Sequence, residues 1–304
     1  MVIAGTLADA DVASIWFGPS VFLRWHRTYT HSILGVAAIV TITAVITVLL
    51  GGKTKLTPRE ILLALLLAAA AHPLLDLLQP CGETLLWPFR TTRFAVDLLP
   101  EIDPWILALL IAGIALPEVF RLVSSEIGAK DKSPRGRNGA LIALSLLLVY
   151  IGGRYILHSN GSALLDAHSY RGESPRRVGV FPDTLSIFTW HGIVETQSII
   201  CELDVPLGPA GRFDAESATC QHKPESSPAL VAAQEAKTAK EFLRAARYPK
   251  ATVEKDPENI VIVIRDLVGA SEPARHRVAA RIRVGANAQV QSQELVWASG
   301  LRQP

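Results

Sequence analysis

The chain has 304 residues and a mass of 32.9 kDa, with 49% hydrophobic residues, 19% charged residues and a mean hydropathy of +0.29. That balance is too apolar for an ordinary soluble protein and excludes disorder. A formal net charge of +2 and a pI of ≈ 8.5 give no concentrated basic face, so no nucleic-acid partner is expected.

The apolar excess lies in the first half. Residues 1–157 carry 13 Lys+Arg and 11 Asp+Glu, whereas residues 158–304 carry 17 of each. Met1 to Ala13 holds Asp9 and Asp11 where a signal peptide would need a basic stretch, so no cleavable signal is expected there. Four runs follow that read as membrane-spanning helices: Ile33 to Leu50, Ile61 to Leu78, Pro104 to Val123, and Asn138 past Arg154 to Leu157. A soluble bundle would need four long helices apolar on every face, which water does not tolerate.

Short-loop cations set the orientation. Loops 51–60 and 118–139 hold eight, namely Lys53, Lys55, Arg59, Arg121, Lys130, Lys132, Arg135 and Arg137. Segments 1–32 and 79–103 hold four: Arg24, Arg27, Arg90 and Arg93. The expectation is a cytoplasmic location for the first set and an extracytoplasmic one for the N-terminus, the 79–103 loop and the C-terminal half. Trp16, Trp25, Trp87 and Trp105 lie near span ends on that outer side, as an interfacial belt requires. Cys201 and Cys220 would there be free to form a disulfide, leaving Cys81 over; three free thiols are the alternative.

Polar residues inside or beside the apolar runs carry the chemistry. His72 and Asp76 are i,i+4 neighbours, about 40° apart on a helix, and share one stripe. Ionisable groups in a span are costly and normally face a partner or a cavity. An imidazole and a carboxylate at that spacing suit a divalent cation, with zinc favoured by imidazole and manganese or magnesium by carboxylate. His26 and His31 would splay by about 140° on one helix and converge only across a turn, with Thr30 or Ser32 as the N-cap of the first span. Asp9 and Asp11 form a short acidic pair upstream. Taken singly, each element reads as a structural hydrogen bond, an interfacial anchor or a solvated turn. Together, three histidines and three carboxylates at one membrane face favour a metal site, with Arg27 as a binder of anionic oxygen or a headgroup anchor.

His26-Arg27-x-x-Thr30-His31-Ser32, His72-x-x-Leu75-Asp76 and Gly82-x-x-Leu85-Leu86-Trp87-Pro88-Phe89 resemble, over residues 1 to 105, the motifs of the membrane-bound metal-dependent hydrolase family of YdjM-like, SOS-regulated inner-membrane proteins. The resemblance implies a multi-pass inner-membrane protein in which Asp9, Asp11, His26, His31, His72 and Asp76 take the places of the family's metal ligands. The chain departs from the pattern in opening directly at Met1-Val2-Ile3-Ala4-Gly5, where family members usually carry a Thr-His-containing helix. Ala8 also replaces a Pro and Thr28 a Gly. A fainter likeness, through His-x-x-x-Asp, is to the zinc-dependent phospholipase C and single-strand nuclease superfamily. The chemistry expected is metal-activated water, with Asp9, Asp11 or Glu83 as general base and Arg27 neutralising developing charge. A site at the interface favours a phosphoester or lipid-borne substrate, with membrane lipid as its surroundings.

Residues 158–304 read as an extracytoplasmic α+β domain following the transmembrane metal-site domain 1–157. Strands are expected at Arg177 to Phe181, Leu185 to Trp190, Glu195 to Asp204, Ile260 to Leu267, Arg277 to Val284 and Ala288 to Trp297, with one helix at Leu230 to Arg247 and a long loop over 205–228. His158, His168, His191, His222 and His276 lack ligand spacing and read as structural or surface residues. No Gly-rich phosphate loop, Gly-x-Ser-x-Gly elbow or Cys-x-x-Cys is present, which argues against nucleotide hydrolysis, serine esterase chemistry and thiol redox work. Two classes stay open: a metal-dependent hydrolase, and a non-catalytic membrane scaffold presenting its outer domain to a partner.

Overall fold

A computed structural model describes residues 1–50, 56–126, 137–255, 259–268 and 277–300. Lys53, Lys55, Lys130, Lys132 and Arg135 of the orientation argument lie outside the described residues, as do His276 and the side chains of Arg121 and Arg137. The chain forms two compact units, one of residues 1–96, 198–200 and 220–304, the other of residues 97–197 and 201–219.

The first unit opens with helix α1 (Val2–Thr6), a 3-10 helix over Leu7–Phe17 and helix α2 (Pro19–Trp25). Helix α3 (Ile33–Leu49) starts where Ser32 accepts a hydrogen bond from the Gly35 amide at 3.0 Å, so Ser32 rather than Thr30 is the cap. Helix α4 (Pro58–Asp76) begins three residues ahead of the expected span because Thr57 and Glu60 form a capping box and Pro58 fits the first turn. Ala4, Ala8, Ile39, Val40, Leu65 and Ala69 close a small core among α1, the 3-10 helix, α3 and α4. The small residues let α1 lie close against α4; a Cβ on Gly5 would stand 3.3 Å from the Ala68 carbonyl oxygen.

The second unit holds helices α5 (Pro104–Glu126) and α6 (Arg137–Asp166). They cross at small residues. A Cβ on Gly113 would fall 2.5 Å from the Ala143 Cβ, and one on Gly139 would fall 2.3 Å from Pro117 Cγ, the close approach that helix pairs use in lipid. Arg154, on α6, is fully buried; its guanidinium donates to the carbonyls of Leu98 (2.9 Å) and Ile187 (3.1 Å) and lies 4.3 Å from the Trp190 ring centroid.

Of the four expected spans, α4 and residues Asn138–Asp166 of α6 are long and apolar enough to cross a membrane, while α3 and Pro104–Val119 are shorter apolar helices. Only 17% and 11% of the two long stretches are buried, so most of their apolar side chains, Leu65 and Leu165 excepted, face outward rather than into a protein core.

The C-terminal part is built on two antiparallel four-stranded sheets. The first follows the order β1 (Arg177–Pro182), β2 (Thr189–Glu195), β3 (Ile199–Pro206), β4 (Thr219–His222). The second follows β5 (Pro249–Lys255), β6 (Asn259–Asp266), β7 (Val278–Gly285), β8 (Val290–Trp297). Several sequence expectations are corrected. The second strand starts at Thr189, because Asp183 accepts from the Leu185 and Ser186 amides and turns that segment out of the sheet. The expected loop contains β4, and β5, a largely polar strand opening on proline, was not expected.

The expected single helix is two, α7 (Pro228–Glu235) and α8 (Lys237–Ala245), broken at Ala236, whose ψ of 142° is extended. The break lets both helices turn apolar faces to one sheet. Ala233, Ala239 and Phe242 pack there with Ile262, Ile264, Ile282 and Val284. Cys201 and Cys220 are disulfide-bonded, and Cys81 takes no part in a disulfide.

Candidate metal centre

Three separated segments supply the site. The 3-10 helix brings Asp9 and Asp11, the turn between α2 and α3 brings His26 to His31, and the last turn of α4 brings His72 and Asp76. Gly35 fixes the turn against α3: a Cβ there would stand 2.1 Å from the Tyr29 carbonyl oxygen and 2.6 Å from that of Thr30. Arg27 takes a left-handed φ of 57°, which is costly for a side chain. Its amide donates to Asp11 Oδ2 at 2.9 Å, and its carbonyl accepts from the Thr84 amide at 3.1 Å, so both neighbours hold it there.

One donor atom each from Asp9, His31, His72 and Asp76 lies within 4.8 Å of the others. His72 Nε2 stands 3.1 Å from Asp9 Oδ1 and 3.3 Å from Asp76 Oδ2; His31 Nε2 stands 3.3 Å from Asp76 Oδ2 and 3.9 Å from Asp9 Oδ1. Donors placed tetrahedrally around a cation at about 2.1 Å would be about 3.4 Å apart, so this set has the right spacing. The buried atoms His31 Nε2, His72 Nε2 and Asp76 Oδ2 also lack any partner in hydrogen-bond geometry. Orphaned buried donors and acceptors are rare, and three around one point call for a bound group. The residues fit a metal ion.

Behind this cluster stands a supporting layer. Asp11, almost fully buried, faces His26 Nδ1 at 3.0 Å through Oδ1. Its Oδ2 accepts from Thr30 Oγ1 at 2.7 Å and lies 3.3 Å from His31 Nδ1. Burial would raise the Asp11 carboxyl, but His26 and His31 hold it well below the usual carboxylate range. Burial would likewise lower His31, yet the carboxylates of Asp11 and Asp76 at its two nitrogens outweigh this and push it up to about 9. Gln79 Nε2 donates to Asp76 Oδ1 at 3.0 Å, and Gln79 Oε1 accepts from Arg27 Nη2 at 2.7 Å. Asp76 thus has one oxygen held from behind and the other facing the imidazoles.

Glu83 is fully buried, with Oε1 4.0 Å from His31 Nε2 and neither carboxylate oxygen in a hydrogen bond. Burial pushes its carboxyl up to about 8. An antiparallel bridge between Glu83 and Phe94 anchors its backbone.

Of the six residues expected as ligands, four form the cluster; Asp11 and His26 stand behind it. Gln79 was missed. It is legible in retrospect as a polar residue one helical turn beyond Asp76.

These features define a helical membrane protein with a His/Asp cluster at the end of an apolar helix that could hold a metal ion. Residues 1–160 match the model of the YdjM inner membrane protein family, and the chain belongs to that family. No curated relative and no solved structure matches the chain.

Proposed function

We propose that the protein is a multi-pass inner-membrane, metal-dependent hydrolase acting on a phosphoester or lipid-borne substrate. The observation that carries the reading is the convergence of Asp9, His31, His72 and Asp76, with the buried atoms His31 Nε2, His72 Nε2 and Asp76 Oδ2 left without hydrogen bonds. A zinc ion best suits two imidazoles and two carboxylates, and when bound it would supply a Lewis acid that lowers the pKa of a water and polarises a phosphoryl or carbonyl oxygen.

The chain's own residues divide the remaining work. Asp11 Oδ2, 3.3 Å from His31 Nδ1, and Thr30 Oγ1, 3.0 Å from the same atom, hold that side of the imidazole and leave Nε2 pointing at the cluster, the support from behind usual at metal sites. Gln79 positions Asp76, and Arg27 positions Gln79. Glu83 is the general base, since a carboxyl raised towards neutrality beside the cluster can take and return a proton near physiological pH. Asp9, half exposed, forms the open side through which substrate enters.

The topology belonging to this reading has four spans within a transmembrane domain 1–157. The N-terminus, the 79–103 loop and residues 158–304 are extracytoplasmic. The outward-facing apolar surfaces of α4 and α6 and the small-residue crossing of α5 with α6 support it.

The test is metal content by mass spectrometry of detergent-purified protein, followed by a panel of phosphodiester substrates. Near-stoichiometric metal is expected in the wild type and a large loss in His72→Ala. Undiminished metal in the mutant would overturn the site, and no metal-dependent turnover of any ester would leave the scaffold reading.

A further inference from the structure

In the second unit, α6 continues well past its apolar stretch. Tyr150 donates to Asp103 Oδ2 at 2.8 Å, and Asp103 caps α5 by accepting from the Trp105 and Ile106 amides at 2.9 and 3.0 Å, so Tyr150 is level with the start of α5. From Tyr150 to Asp166 the helix rises about 24 Å farther. Strand β1 then returns alongside it. A Cβ on Gly161 would stand 3.1 Å from Val180 Cγ1, and lower on the same helix Arg154 reaches the Ile187 carbonyl at 3.1 Å. The connection between β1 and β2, residues 183–188, is thereby brought back to within about one helical turn (~6 Å) of the level of Tyr150.

The backbone of this connection is satisfied from within. The carbonyls of Leu185, Ser186, Ile187 and Phe188 accept from Trp105 Nε1 (3.1 Å), Arg154 Nη1 (3.4 and 3.1 Å) and the Leu207 amide (2.8 Å). The amides of Leu185 and Ser186 donate to Asp183 Oδ1, and that of Thr189 donates to Ser186 Oγ. Yet the Leu185 side chain is 75% exposed, and Ile102, just before α5, is 72% exposed. Water favours the reverse, a solvated backbone with leucine tucked away, whereas a low-polarity surrounding selects paired backbone groups and outward apolar side chains. Trp105 adds a second sign. An indole at the end of a span normally offers its N–H to headgroups or water, but here the Leu185 carbonyl takes it, so the connection itself occupies that interfacial layer.

We infer that residues 183–188 are a membrane anchor: Leu185, together with Phe188, which is 48% exposed, inserts into the headgroup–acyl boundary of the leaflet where α5 begins and seats the first sheet on the bilayer. The partner is the apolar boundary of a phospholipid layer rather than an anionic headgroup, because residues 182–190 contain no Lys or Arg. The anchor presupposes that α5 and α6 cross the bilayer, as proposed above, and it lies beyond the family match, which ends at residue 160.

The test uses the full chain in phosphatidylcholine nanodiscs, with Cys81→Ser as background and the Cys201–Cys220 disulfide intact. An environment-sensitive fluorophore is attached in turn at Leu185→Cys, at the exposed Ser174→Cys before β1, and at Leu148→Cys on the outward face of α6. The quenchers are phosphatidylcholine carrying a nitroxide near the carbonyl end of an acyl chain, and aqueous iodide. Position 185 is expected to emit to the blue of position 174, with several-fold stronger quenching by the nitroxide lipid and several-fold weaker quenching by iodide. In the unsubstituted chain, which needs no variant to fold, a membrane-confined diazirine should label residues 183–188 and spare 171–176. Position 185 behaving like 174 while 148 is quenched by lipid would overturn the anchor and leave the spanning reading standing. Loss of lipid quenching at 148 as well would remove both, and absence of photolabel from 183–188 would overturn the anchor.

Discussion

Asp11 Oδ2 lies 3.3 Å from His31 Nδ1, so the carboxylate meets the imidazole on the side opposite the atom that faces Asp76. The first consequence concerns affinity. Asp11→Asn should keep the fold but weaken zinc binding about 10- to 100-fold, because the amide no longer fixes the imidazole tautomer. Competition with a chromophoric chelator measures this; an unchanged affinity would remove Asp11 from the supporting layer.

The same pair makes stability pH-dependent. In the metal-free protein His31 is raised from 6.5 to about 9, so the stability it adds is complete below pH 6.5 and lost as pH climbs through 9. Glu83, raised from 4.5 to about 8 by burial, acts with the same sign, since its ionisation between those values is opposed only in the folded state. Chelated protein should therefore melt at a lower temperature at pH 9 than at pH 6. Zinc uptake should release a proton below pH 9, detected as a buffer-dependent heat in calorimetry. A melting temperature flat across this range would contradict both assignments.

Gly35 has no room for a methyl group, since the carbonyls of Tyr29 and Thr30 occupy that space. Gly35→Ala should cost about 3 kcal/mol and displace the turn that carries His31. Bound zinc and thermal stability are expected to fall together. A mutant that lost stability while keeping full zinc would show that the turn is not what aligns the ligands.

Arg154→Gln tests the second unit. The shorter side chain cannot reach the Leu98 and Ile187 carbonyls together and loses its stacking on Trp190, for a cost of about 3 kcal/mol. Denaturant unfolding in detergent should record it, with zinc content unaffected because no cluster ligand belongs to this unit.

Much of this was legible in the amino-acid order. The four apolar helices, a cap for the first of them at Thr30 or Ser32, and the i,i+4 pairing of His72 with Asp76 follow from local composition and helical period; that Ser32 is the one used is a finding of the structure. Strands β6 to β8 announce themselves through alternating β-branched residues. The division of labour between Asp9 and Asp11 was not legible, because it depends on their lying in a 3-10 helix, where residues two apart point about 120° apart. Asp9 therefore reaches the Nε2 atoms while Asp11 reaches His26 and the far side of His31. Strand β5 escaped notice because Pro249, Lys250, Glu254 and Lys255 dilute its pattern, and pairing with β6 supplies what local propensity lacks.

The donor atoms of the cluster come from positions 9, 31, 72 and 76, so a cation seated among them would tie together chain loops of 22 residues (9 to 31) and 41 residues (31 to 72). Such a tie acts as a cross-link, restricting the unfolded chain as a disulfide would, in a region where the described cysteines form none. It also imposes an order of assembly. Asp9 and His31 are synthesised first but remain an incomplete pair until α4 has been made and packed against α3. Loading of the proposed ion would thus be a late step, and such an ion would work as a clasp that records whether the second apolar helix has reached its place.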